Sequence, residues 1–325
     1  MNVKKTGKRA GVDAIGLLIA IVALFVVMSV MAEGFFSWYN LHNVLKDFSI
    51  LVVVASGMTF AILLGKIDMS AGSVMSLSAI MITILLSKGV PFGLAVLGGL
   101  ASGAVIGLIN GYLIGVQKLN HFITTFATMN IAKGAALVIC NGQIINSTSD
   151  SLLFIGKGKI LGLFVIVWFS MIIFFVLYYI LNKTTFGYRV YSVGGSENVS
   201  QLSGINTRRT YIISFIISGI LAALGGLFMA GKANSGNATI GDGYEFNAIA
   251  TVLIGGTPFD GGKGGLMSTF IGALFISLLK NGIALIGLTP AWQYAIIGIA
   301  ILLVIIMDVA LNERRKRAER RRVEA

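Results

Sequence analysis

The apolar residues of this chain arrive in long blocks, and that one feature leaves few folds open. Ten stretches stand out: 14–32, 50–65, 69–88, 91–116, 122–140, 161–181, 211–231, 245–258, 265–288 and 291–310. A helix needs about 20 mostly apolar residues to cross the hydrocarbon of a bilayer. The sequence therefore predicts eight to ten crossings. The blocks 50–65 and 245–258 are short and run into Gly-rich polar breaks, which suits half-spans or bent segments. Alternation with a period of two, the mark of a membrane β-barrel, is absent. The expected fold is all-α: a polytopic helical bundle in the membrane, with residues 1–325 forming one domain. Charged residues make up 12% of the chain, against about 25% in soluble domains. That supply is too small to cover a globular surface. Block 14–32 is too long, and too poor in polar residues at its end, for a cleaved signal peptide with its small-residue cleavage site, and reads as a retained first span.

The formal net charge is +12. Lys4, Lys5, Lys8 and Arg9 lie in the tail 1–13, and Arg314, Arg315, Lys316, Arg317, Arg320, Arg321 and Arg322 lie in the tail 311–325. A basic run can bind nucleic acid, but beside an apolar span it marks the cytoplasmic side. No nucleic-acid partner is expected; the surrounding partner is membrane lipid. With ten spans and both termini inside, 18 Lys and Arg fall inside and 5 outside. This threading puts loop 141–160 outside and loop 182–210 inside.

Three stretches carry polar backbone between or within apolar blocks: 65–73, with Asp68 and Ser70; 241–247, with Glu245; and 255–265. Non-helical backbone at membrane depth must be buried in protein or line a cavity, and broken helices can aim their end dipoles at a pathway. The alternative is a tight turn at the membrane face. Lys133 lies eleven residues past Phe122, near the middle of its span. An ionised lysine there calls for Asp68, Glu245, a carbonyl or water as partner, or reaches an interface along its stem. Lys280 raises the same question. Gly99, Gly103, Gly107, Gly111 and Gly115 recur every four residues, a side-chain-free ridge against which a neighbouring backbone can pack closely or slide.

Catalytic chemistry is missing. Gly226–Lys232 mimics the start of a phosphate-binding loop, but Ala233 replaces the hydroxyl that would hold magnesium. His42 and His121 are the only histidines and Cys140 the only cysteine, so no catalytic residue, metal site or resident cofactor is expected. Uphill movement of a solute would draw on an ion gradient or on a partner. In loop 182–210, Glu197 to Ile205 suits a short amphipathic helix ending at Gly204. Such a helix fits a groove on a soluble partner, or is a plain connector.

Several motifs in order then carry a resemblance. They are Gly57-Met58-Thr59-Phe60 leading to Ile67-Asp68-Met69-Ser70-Ala71-Gly72-Ser73; Asn110-Gly111 followed by Phe122-Ile123-Thr124-Thr125; Phe186-Gly187 through Gly194-Gly195 to Leu202-Ser203-Gly204-Ile205; and Gly243-Tyr244-Glu245 through Ala248-Ile249-Ala250 to Ile254-Gly255-Gly256-Thr257. Over roughly residues 35–310 the chain resembles the membrane permease subunits of binding-protein-dependent ABC importers of the ribose/simple-sugar class. The resemblance implies a second permease copy, identical or related, and a cytoplasmic ATPase subunit that holds ATP and Mg. It also implies an extracytoplasmic sugar-binding protein and a place in a bacterial inner membrane. It implies a translocation pathway through Asp68, Ser70, Asn110, Thr124 and Thr125, to which Lys133 and Glu245 are added. Gly194, Gly195, Glu197, Leu202, Ser203 and Gly204 would couple to the ATPase. Nucleosides or branched-chain amino acids are alternative cargoes, and an ion-coupled carrier or a non-transporting scaffold are alternative classes. The chain departs from the family pattern at Lys66, at Asn120-His121 where a proline-containing pair is usual, at Asn247 and at Pro258-Phe259-Asp260.

Overall fold

A computed structural model describes residues 4–289, 291–303 and 306. The basic tail 311–325 lies outside the described residues.

Each of the ten apolar blocks holds a helix, and the end of block 291–310 lies outside the described residues. They are α1 (Lys4–Met31), α2 (Trp38–Leu63), α3 (Ala71–Ser87), α4 (Phe92–Gly115), α5 (His121–Cys140), α7 (Val165–Lys183), α10 (Thr207–Ala233), α11 (Tyr244–Ile254), α12 (Leu266–Leu285) and α13 (Ala291–Leu303). Six are long and apolar enough to cross a membrane: α2, α4, α5, α7, α10 and α12. Between them lie three shorter helices, α6 (Asp150–Lys157), α8 (Thr185–Gly195) and α9 (Glu197–Leu202). Two antiparallel pairs of two-residue strands complete the described chain. β1 (Ile145–Asn146) pairs with β4 (Ser235–Gly236), and β2 (Lys159–Ile160) with β3 (Leu163–Phe164).

The block 50–65 is not a half-span. α2 begins at Trp38, and its first turns carry Asn40, His42, Lys46 and Asp47. These polar residues have partners. Asn40 Nδ2 donates to Phe35 O and to Asn281 Oδ1 at 2.8 Å each, and Asn281 Nδ2 donates back to Asn40 Oδ1. Asp47 pairs with Lys232. The block 161–181 starts too early: residues 163–164 belong to β3, and the helix runs from Val165 to Lys183. The block 245–258 is short as expected. The eleven residues of α11 span about 16 Å at 1.5 Å per residue, roughly half of a 30 Å hydrocarbon layer.

Local chemistry sets the helix ends. Asn120 opens α5 by accepting from Phe122 N–H (2.9 Å) and Ile123 N–H (3.3 Å), and Asn206 opens α10 by accepting from Arg209 N–H (3.0 Å). An Asn side chain at that position satisfies donors the helix leaves free. Thr184 and Ser196 are used twice. Thr184 follows α7 and caps α8 through Gly187 N–H, while Ser196 follows α8 and caps α9 through Val199 N–H.

The core lies where α2, α3 and α10 meet. From Phe48 to Leu63 every residue of α2 is buried, as expected of a helix that is apolar all round. The glycine ridge of α4 runs along α10. A Cβ on Gly103 would strike Gly219 O and one on Gly107 would strike Phe215 O; at Gly111 and Gly115 it would lie 2.6 Å from Ile212 Cα and Tyr211 Cβ. Gly219 answers from α10, where a Cβ would strike Gly103 O. Gly99 departs from the rest: its Cβ would meet Ile82 and Ser78 of α3. Small residues thus let two backbones touch, as membrane helices do without a hydrophobic drive between them.

Candidate functional site

The polar breaks are not separate. After Leu63 the chain leaves the helix, turns at Gly65 (φ +68°) and re-enters the bundle as non-helical backbone before α3 starts at Ala71. Asp68 lies on this segment with only 1% of its surface exposed. Ser218, eleven residues into α10, donates to its Oδ2 at 2.7 Å. That depth is about 16 Å along the helix axis.

A directed set of hydrogen bonds ends on this carboxyl. Ser70 donates to Asp68 Oδ1 through its backbone N–H (3.0 Å) and its hydroxyl (2.5 Å). Asn110 Nδ2 of α4 donates to Ser70 Oγ at 3.0 Å, and Thr128 Oγ1 of α5 donates to Asn110 Oδ1 at 2.7 Å. The NH₂ of Asn110 can only donate, so the Ser70 proton is free for Asp68. Four elements are therefore joined in one network that ends on this acceptor, and each buried polar group in it has a partner.

The second break meets the first. Glu245, 7% exposed, sits in the opening turn of α11, where Gly243 has φ +79°. A Cβ on Gly72 would strike Glu245 Oε2 and Gly241 O, and Gly241 N–H donates to Ser76 Oγ at 3.0 Å. The N-termini of α3 and α11 thus abut inside the bundle. Both positive dipole ends lie at the junction that holds Asp68 and Glu245, which suits buried carboxyls.

The third break closes one end of the bundle. Gly262 N–H donates to Leu63 O at 2.8 Å, and a Cβ on Gly65 would lie 3.2 Å from Asp260 O. Gly194 also lies here, where a Cβ would strike Leu63 O, while Gly195 touches Gly262. The end of α8 is therefore seated on the end of α2 and on the 255–265 turn. Tyr191 of α8 donates to Gly264 O at 2.9 Å, and burial raises its phenol above the usual range and keeps it a donor. Beyond Ser196, the chain stands out from the bundle: Leu202 is 89% exposed and Val199 62%. Glu197 pairs with Lys118 and accepts from Tyr211 Oη at 3.2 Å. Burial opposes its ionisation, but the Lys118 ammonium and the Tyr211 hydroxyl outweigh that and hold its carboxyl below the usual range. Gly204 has φ +81° and ends the turn after Ser203.

Lys133 does not meet Asp68 or Glu245. Its ammonium donates to Ala238 O at 2.7 Å and pairs with Asp242, tying α5 to the segment between α10 and α11. Lys280 lies 5.3 Å over the Tyr244 ring. Lys133→Met is expected to cost about 1–2 kcal/mol, from one hydrogen bond and one partly exposed pair. A thermal melt of the purified chain followed by tryptophan fluorescence checks this, and an unchanged midpoint counts against the tie.

Thr124 is buried on α5, and Thr125 Oγ1 lies 3.3 Å from Ile67 O. Sequence reasoning placed Asp68, Ser70 and Asn110 together and missed Ser218 and Thr128. The signal for Thr128 was present, since His121, Thr125 and Thr128 share one face of α5 by helical spacing. Among the described residues no group of three His, Cys, Asp or Glu side chains could hold a metal.

Two helix N-termini abut inside this bundle beside a buried carboxyl, and short surface helices project at one end, an arrangement of the kind that broken helices make in membrane transporters. A family model described as a branched-chain amino acid transport system permease component matches residues 40–305. The chain belongs to that family: it is a permease component of an ABC-type transport system and is not itself the ATPase. It is 36% identical over 301 residues to the ribose import permease protein RbsC of Haemophilus influenzae, covering 91% of this chain and 93% of that one. The RbsC of Bacillus subtilis is also 36% identical, over 296 residues, 90% of this chain and 92% of that one. The L-arabinose transport system permease protein AraH of Escherichia coli is 30% identical over 296 residues, 91% and 90% of the two chains. Among solved structures, a chain described as a metal-chelate type ABC transporter in an inward-facing conformation shares the fold. Its TM-score is 0.50 at 15% identity, covering 90% of this chain and 98% of that one.

Proposed function

We propose that this permease imports a monosaccharide of the ribose type, delivered by an extracytoplasmic binding protein and driven by a cytoplasmic ATPase. The observation that carries this reading is the 36% identity to a ribose import permease across 91% of the chain. Two copies of the permease, or one with a related chain, frame the pathway in the inner membrane of a bacterium. The end bearing α8 and α9 faces the cytoplasm. Lys66, Lys118, Lys183, Arg189, Arg208, Arg209 and Lys263 belong to that end, while Lys46, Lys88, Lys157, Lys159 and Lys232 belong to the other, where Lys46 and Lys159 lie over Phe164 and Lys232 pairs with Asp47. This asymmetry supports that sidedness. All ten apolar helices take part in the crossing, with the eleven residues of α11 covering about half of it. Asp68, Ser70, Asn110, Thr124, Thr125, Lys133 and Glu245 line or brace the pathway, and Leu202 with its neighbours on α9 meets the ATPase.

The test is uptake into vesicles that hold the permease, its ATPase and its binding protein. ATP-dependent accumulation of D-ribose or L-arabinose supports the reading. Accumulation of L-leucine alone would transfer it to the amino-acid branch named by the family model. Uptake that survives ATP depletion but collapses with an uncoupler would indicate an ion-coupled carrier. In the same system Leu202→Asp is expected to cut sugar-stimulated ATP turnover about tenfold or more, within the range of allosteric coupling. The fold should stand, because a side chain 89% exposed packs against nothing in the chain.

A further inference from the structure

Residues 116–120, which join α4 to α5, and His121, which opens α5, touch two places at once. Lys118 has φ +58°, a left-handed conformation that glycine adopts by default and a lysine resists. Leu119 N–H bonds back to Leu113 O at 3.1 Å and closes the end of α4 over it. The Lys118 ammonium pairs with Glu197, the first residue of α9, and lies 5.3 Å over the Tyr211 ring. Lys66 lies 5.9 Å over the same ring. Three residues on, His121 Nδ1 accepts the Ile67 N–H at 3.2 Å, and Thr125 Oγ1 lies 3.3 Å from Ile67 O. The first turn of α5 therefore holds both backbone groups of Ile67, the residue next to Asp68.

Stability does not explain this arrangement. The side chains of Lys118 and Glu197 are 52% and 30% exposed, and exposed pairs contribute little to stability. A lysine kept in glycine's conformation for such a pair points to a positional role. We propose that the α4–α5 turn is a transmission linkage. Lys118 ties it to α9, His121 ties it to the buried segment 64–70, and displacement of α9 shifts Ile67 and with it the hydrogen bonds on Asp68. Lys118 and His121 are positioning residues and touch no cargo. The inference rests on the transport reading above, because it takes α9 as the element the ATPase moves. Coupling between sites needs an element with two arrangements that both sites bias; the linkage makes α9 and segment 64–70 one such element.

The test uses the full-length chain assembled with its ATPase and binding protein in nanodiscs. Two quantities are read: amide hydrogen exchange at Ile67 with and without ATP plus vanadate, and ATP turnover stimulated by binding protein loaded with D-ribose. In the wild type, nucleotide is expected to change Ile67 exchange about fivefold or more. Lys118→Gly suits the backbone and keeps the fold. It is expected to retain basal ATP turnover, lose the exchange response and lose about tenfold in stimulation. Lys118→Glu and Glu197→Lys each lose the exchange response and the stimulation, and the two together restore at least about half of the response, as a reversed pair should. His121→Ala raises Ile67 exchange about tenfold without nucleotide, whereas His121→Asn, whose amide oxygen can accept from Ile67, holds it low. A Lys118→Gly complex that responds like the wild type overturns the linkage, as does a reversed pair no better than either single change. A wild-type Ile67 that ignores nucleotide overturns it too. ATP turnover in the wild type that no tested sugar stimulates defeats the transport reading instead, and the exchange at Ile67 still decides the linkage.

Discussion

Asp68→Ala is expected to abolish uptake and to cost about 3–5 kcal/mol of stability, since it orphans several buried donors worth about 1–3 kcal/mol each. The donors are Ser70 N–H, Ser70 Oγ and Ser218 Oγ, all within 3.0 Å of the carboxyl. Alanine offers them no acceptor, and the site is too buried for solvent to take over. The loss spreads further, because Ser70 also orders Asn110, and Asn110 orders Thr128. Asp68→Asn separates shape from charge. Its amide oxygen can accept from Ser70 and its NH₂ can donate to Ser218 Oγ, so the expected cost is only about 1–2 kcal/mol. A thermal melt and ATP-dependent uptake, run on both variants, read the two effects independently. An alanine variant as stable as the wild type removes the network from the account. An asparagine variant that is stable but inactive assigns the requirement to the charge itself.

Gly107→Leu is expected to prevent the chain from folding into a functional permease, and Gly107→Ala to destabilise it by about 2–3 kcal/mol, the upper range for overpacking. At Gly107 any Cβ would strike Phe215 O and lie 2.9 Å from Ile216 Cα, atoms of a helix backbone that has no rotamer to change. Relief requires α4 to back away from α10, which would also open the contacts at Gly103 and Gly111. Gly93 on the same helix and Gly134 on α5 are different: a Cβ at either would have nothing within 4 Å, so alanine there is expected to be neutral. Detergent-solubilised yield and melting midpoint across the four variants form the measurement. Equal behaviour of Gly107→Ala and Gly93→Ala would sink the packing argument.

The helices of this fold were legible because membrane solvation writes them in long apolar blocks, and all ten blocks hold a helix. The sequence failed where polar residues pair out of register. α2 looked short because Asn40, His42 and Asp47 begin it, and their partners Asn281, Gly162 and Lys232 lie far along the chain. Hydropathy cannot see a partner 241 residues away. Asp68 and Glu245 stood out in the sequence as acids in polar breaks between apolar blocks, and Ser70 and Asn110 through the motifs that carry the family resemblance. Lys133 was recognised as needing a partner, and a carbonyl was among those expected. The choice of Ala238 O and Asp242 depends on how segment 234–243 runs beside α3, which is a tertiary fact. In loop 182–210 the short helix at Glu197 was expected, but α8 before it was not, since Gly187, Gly194 and Gly195 lower its helix propensity. Two of those glycines are needed for contact: at Gly187 and Gly194 a Cβ would strike Leu181 O and Leu63 O.

The doubly used caps Thr184 and Ser196 have a mechanical consequence. Surface connections are usually where a chain stretches, shortens or accepts inserted residues. From α7 through α8 to α9 there is no spare residue: each joint is one residue that ends the helix behind it and caps the helix ahead. The stretch is an articulated rod without slack. One residue spliced in at either joint would detach a cap and introduce backlash, so length here is constrained as tightly as identity is in the core.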